Sequence, residues 1–113
     1  MAAAKKVQAI RFDLDARPDS APPITIKEWY SDRTGNFRTG FWASQPGRIE
    51  IHYTKDELCV ILDGRVRLTD IYGHVETYTK GDTFLIPIGF KGVWETLEPV
   101  RKFYAIYNPA TES

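Results

Sequence analysis

A single cysteine, Cys59, stands among 113 residues, so no internal disulfide forms and no paired-cysteine metal motif exists. A chain that makes no use of disulfides is expected in a reducing, cytoplasmic compartment. Charge of one sign is also missing: 15 basic and 15 acidic residues cancel, and neither sign forms a long run. A duplex-binding surface needs a basic surplus, so nucleic acid is not an expected partner. No apolar run approaches the ~20 residues of a membrane-spanning helix. The opening "MAAAKKVQAI" has charge with no long apolar stretch behind it, which argues against a secretory signal. Repeats, low-complexity tracts and sustained 3.6-residue periodicity are absent as well, so helices are not expected.

What is present is a core. At 42% hydrophobic and 13% aromatic the composition supports a folded chain, and the length suits one domain. Residues 1–23 end in "ARPDSAPP", whose three prolines exclude helix and central strand. They read as an irregular N-terminal arm lying on the surface or across a partner, with residues 24–113 as the folded domain.

From residue 24 the chain reads as short strands separated by turns. "RIEIHYT" (48–54) alternates, placing Arg48, Glu50 and His52 on one face and Ile49, Ile51 and Tyr53 on the other. "LCVIL" (58–62) suits a strand buried on both faces, and Asp63-Gly64 suits a two-residue hairpin leading into "RVRLTD". Further turns fall at Gly73 and "KGD" (80–82), and "TFLIPIG" and "VRKFYAIY" complete the strands. Strands at this spacing predict an all-β sandwich or small barrel.

"GRIEIHYTKDELCVILDG" (47–64) concentrates the chemistry. Glu50 and His52 share a face, and Glu57 can enter the same interior from the next strand. The three form either a site for Mn²⁺, Fe²⁺ or Zn²⁺, or a hydrogen-bond network without metal. Lys102 shares a strand face with Tyr104 and Ile106. It is either a surface lysine or an internal ammonium near Glu50 or Glu57, compensating buried carboxylates that are costly alone. Trp42, Trp94, Phe84 and Phe90 are core residues, pocket lining, or both.

The chain resembles a small single-domain cupin, a jelly-roll β-barrel. Glu57-x6-Gly64 follows the end of the first cupin motif, and Gly81-x5-Pro87-x-Gly89 the start of the second. His52 falls on the second histidine of the first motif and Glu50 replaces the first. Gly92 replaces the metal-binding histidine of the second motif, leaving any metal site incomplete. "FWASQPG", "DELCVILDGRVRLTD" and "GDTFLIPIGFKGVWET" are similar to the cupins grouped with (S)-ureidoglycine aminohydrolase.

The resemblance implies a small-molecule ligand in the lumen, in contact with Glu50, His52, Trp42, Phe84, Phe90, Trp94 and Tyr104. The ligand it implies is a nitrogenous metabolite: an amino acid, an amine or a ureide. The other implied activity is metal-dependent C–N hydrolysis at Glu50, His52 and Glu57, with Glu57 or Lys102 as acid or base. A homodimer is expected too, with Ile49, Ile51 and Tyr53 directed out of the lumen and covered by the N-terminal arm or a partner sheet.

Overall fold

The computed structural model describes residues 9–15 and 23–109, and every regular element in it is a strand. They are β1 (Ile24–Ser31), β2 (Phe37–Ser44), β3 (Gly47–His52), β4 (Asp56–Asp70), β5 (Val75–Thr79), β6 (Thr83–Ile86) and β7 (Lys91–Tyr107). One antiparallel sheet runs β1-β2-β7-β4-β5, with β3 added to β7 and β6 to β4. The two long strands pair with each other, and each serves two further neighbours. β7 pairs with β3 through residues 91–96 and with β2 through 100–107. β4 pairs with β6 through 57–60 and with β5 through 65–69. Bending of β4 and β7 folds the sheet over on itself in jelly-roll fashion, without closing it.

The bend in β4 sits at Gly64, and here the structure corrects a sequence expectation. Asp63-Gly64 is not a hairpin; β4 continues through it as one strand, with register slips against β7 between Ile61 and Val66. Gly64 does have φ +90°, and a Cβ there would meet the Pro99 carbonyl oxygen and lie 2.7 Å from Val100 Cα. A glycine in left-handed conformation marks a bulge as readily as a hairpin turn, and local sequence does not separate the two. Gly73 and Gly81, at φ +88° and +93°, do sit in the turns joining β4 to β5 and β5 to β6.

"LCVIL" also departs from expectation. It alternates, with Cys59 and Ile61 fully buried and Leu58 exposed on the outer face. Cys59, Ile61, Val66, Leu68, Ile86, Trp94 and Val100 form the core between the walls. Burial of such side chains contributes about 1.5–3 kcal/mol each.

β3 reverses the predicted facing. Ile49 pairs with Trp94 and Ile51 with Gly92, so both isoleucines share the inward face of buried Trp94. Glu50, opposite Val93, and His52, opposite Lys91, face outward and are exposed. The apolar half of an alternating strand goes to the core, and a one-residue parity change moves every ligand-type side chain to the other face.

Residues 9–15 of the arm lie across the outer face of β1, β2 and β7. Phe12 stacks on Trp29 at 5.6 Å and meets Phe103 edge-on at 5.1 Å. The Trp29 indole N–H donates to the Arg11 carbonyl at 3.1 Å, and Arg101 donates to the Leu14 carbonyl at 2.6 Å. The rest of the predicted arm, 1–8 and 16–22, lies outside the described residues.

Candidate functional site

Three inward-facing residues, Glu57, Lys102 and Tyr53, meet at one point between the walls. Glu57, the second residue of β4, faces Ile106 of β7, and Lys102 lies four residues earlier on β7, on the same inward side. Their side chains close a buried ion pair, Lys102 Nζ to Glu57 Oε2, at 2.7 Å, with each residue 4% exposed. Tyr53, just after β3, donates its hydroxyl to the other carboxylate oxygen, Glu57 Oε1, at 2.5 Å. Each oxygen of Glu57 therefore has its own donor, which a buried carboxylate requires.

The ammonium of Lys102 is enclosed further. It lies 4.4 Å from the Trp94 ring centroid and 4.9 Å from that of Trp42, and the two indoles meet edge-to-face at 5.3 Å. Ring faces attract a cation most strongly when water is excluded. Cys59 Sγ completes the surroundings at 3.5 Å. Trp94 donates its indole N–H to Thr96, 3.0 Å away, which holds the ring in place.

Electrostatics follow from this packing. Burial acts to raise the Glu57 carboxyl, but the Lys102 charge and hydrogen bond, the Tyr53 hydroxyl and the nearby Lys55 bring it below its ordinary value. Glu57 is thus a carboxylate at neutral pH. Burial and the Glu57 charge push the Tyr53 phenol far up, so it remains a donor. Burial also raises the Cys59 thiol to about 12, against the pull of Lys102. Cys59 is a packed thiol and not a nucleophile.

The pair forms part of the wall of an open cavity of about 350 Å³. Trp42, Trp94, Tyr104, Tyr53, Ile49 and Ile51 line it, with Ile24, Ile26 and Glu28 from β1, and Arg38 and Lys55. Of the residues expected in the lumen, Glu57, Lys102, Trp42, Trp94 and Tyr104 come together here. Phe84 and Phe90 do not. They line a separate cavity of about 150 Å³, where Phe84 stacks on Tyr78 at 3.7 Å.

Glu50, His52 and Glu57 do not form one donor set. Glu57 is inside and engaged by Lys102 and Tyr53, whereas Glu50 and His52 are on the outer surface. No three metal-ligating side chains cluster among the described residues. Gly92 cannot host a missing histidine either, because a Cβ there would run into the Thr69 carbonyl oxygen and lie 2.9 Å from Asp70 Cα. These residues do not fit the three-ligand metal site.

Sequence reasoning missed Tyr53, Ile49, Ile51 and Lys55 as cavity residues. The signal was available: in "RIEIHYT" the apolar alternate set is the one a core selects.

The EutQ-like cupin domain model matches residues 31–104. The chain belongs to the EutQ-like cupin family. Among solved structures, a DUF861 family protein from Thermotoga maritima is 36% identical with TM-score 0.55, covering 57% of this chain and 73% of that one. A DUF861 protein from Pseudomonas syringae pv. tomato is 29% identical with TM-score 0.72, over 83% of this chain and 46% of that one. The Salmonella typhimurium LT2 protein described as ethanolamine utilization protein Q shares the fold at TM-score 0.68. It is 19% identical, covering 77% of this chain and 71% of that one. Comparison with curated proteins gives no match. The cupin jelly roll expected from the sequence is the fold of this chain.

Proposed function

We propose that this cupin binds a small nitrogenous metabolite in the cavity above the Lys102–Glu57 pair. The observation that carries the binding reading is the pair itself: a fully enclosed ion pair forming one wall of an open cavity lined by two indoles. Fixed, desolvated charge beside apolar surface is how a pocket orients a small polar molecule. The nitrogenous class rests on the sequence resemblance to the ureidoglycine aminohydrolase group, which is an analogy of family. Within that class the cavity favours amino acids and ureides over simple amines. A free amine would have to share the indole faces and Glu57 with the ammonium of Lys102, at like-charge cost.

Where the ligand is turned over, Glu57 is the candidate proton acceptor and Lys102 the candidate donor, with Tyr53 holding the carboxylate in position. A homodimer belongs to the same reading, but on a different surface from the one the sequence suggested. Leu58 and Leu85 are register partners on the outer face of β4 and β6, and both are exposed. The buried free thiol fits the expected cytoplasmic setting.

A thermal-shift screen of amino acids, amines and ureides tests the reading, with the Lys102→Met variant in parallel. A concentration-dependent rise for one class in the native protein, lost in the variant, is the expected result. Equal shifts in both proteins would move the ligand elsewhere.

A further inference from the structure

We infer that the ligand carries a carboxylate, or an equivalent flat anionic group, and that Lys55 at the cavity rim receives it. This rests on the lumen-binding reading above and specifies the ligand within it. The inference comes from the charges around the cavity. Three cations, Arg38, Lys55 and Lys102, and two carboxylates, Glu28 and Glu57, line it. Lys102 is satisfied by Glu57 at 2.7 Å, and Arg38 faces Glu28 at 3.8 Å. Lys55 is left over. Among the described residues it has no carboxylate within ion-pair distance, and its ammonium rests 4.4 Å from the centroid of the Tyr53 ring.

Its position is set by the chain. Lys55 lies in the short connection between β3 and β4, one residue before β4 begins and two before Glu57. Tyr53, on which it rests, turns its hydroxyl to Glu57 Oε1. Charge therefore alternates inward along one path: Lys55 ammonium, Tyr53 ring, Glu57 carboxylate, Lys102 ammonium. The outer end of that path is positive with no carboxylate in ion-pair contact, and Lys55 is only half-buried, so an incoming anion can reach it.

The remaining wall is apolar, with Ile24, Ile26, Ile49 and Ile51, and Ile26 is 62% exposed at the mouth. A bare inorganic anion would leave that surface wet. An anion with a small hydrocarbon body fits both halves, and burial of the body adds the non-directional part of the affinity.

Benzoate, benzamide and benzylamine test this, since they share one ring and differ in charge. Titration calorimetry at low ionic strength should rank benzoate above benzamide and benzamide above benzylamine, with benzoate at least about tenfold tighter than benzylamine. Lys55→Met should bring benzoate down to the level of benzamide, and Lys55→Arg should keep benzoate in front. Added salt should shrink the benzoate advantage in the native protein and in Lys55→Arg. Benzylamine binding as tightly as benzoate, or a benzoate preference that survives Lys55→Met, overturns the inference and leaves the lumen-binding reading standing. Failure of all three probes to bind overturns the inference, and failure of the amino acids, amines and ureides as well overturns both.

Discussion

Lys102 Nζ lies 2.7 Å from Glu57 Oε2, against the rings of Trp42 and Trp94. The carboxylate that ends the first cupin motif is thus matched by a cation from the chain itself. A buried pair of this kind is not automatically stabilising, because both charges lost their water on folding. It is, however, costly to break from one side.

That asymmetry gives the first prediction. Lys102→Met or Glu57→Gln alone should destabilise the fold by about 3–5 kcal/mol in urea unfolding, since each leaves a buried polar group unmatched. The Lys102→Met/Glu57→Gln double variant should recover much of that loss. Additive losses would mean that the two side chains are not coupled.

Acid should act through Glu57. Its folded pKa lies below the ordinary 4.5 because of Lys102 and Tyr53, despite burial. The unfolded chain then takes up the proton first, so this contribution is complete above pH 4.5 and is lost as pH falls through the folded value. Unfolding free energy of the native protein should drop across that acid window more steeply than that of Glu57→Gln. Parallel pH curves for the two would contradict the assignment.

Gly92→His should not create a metal site. The new side chain meets the Thr69 backbone, so the expected outcome is a lower melting temperature with no rise on adding Zn²⁺. A zinc-dependent increase in melting temperature would show that β7 can shift to admit the histidine.

Phe12→Ala removes the ring that links the arm to Trp29, Phe41 and Phe103. Because the site is only partly enclosed, the cost should fall at or below the low end of the usual ~3–5 kcal/mol for a buried phenylalanine. Proteolysis within residues 9–15 should also become faster. An unchanged cleavage rate would mean that the arm is held by its backbone hydrogen bonds alone.

Much of this architecture could be read from the sequence because strand alternation and turn glycines are local signals. Gly73 and Gly81 mark real turns, and the inward set Lys102, Tyr104 and Ile106 follows from period two. Gly64 shows the limit. Its left-handed backbone was legible, but whether the chain reverses or bulges there depends on Pro99, 35 residues away. β3 failed for a different reason. Motif alignment placed Glu50 and His52 inward, while the hydrophobic alternation of Ile49 and Ile51 placed them outward. Burial energetics decided for the isoleucines. Pairing of Glu57 with Lys102, 45 positions apart in the chain, needs the register of β4 against β7, which no local pattern encodes.

The central claim is that a lysine ammonium is the resident cation of this lumen. The ¹⁵N spectrum of lysine side chains tests it most directly. One ammonium signal should stand apart at neutral pH, shifted upfield by the faces of Trp42 and Trp94 and slow to exchange with water. It should vanish in Lys102→Met and stay in place when Zn²⁺ or Mn²⁺ is added. A Lys102 signal at the position and exchange rate of the surface lysines, or one displaced by metal, would contradict the account.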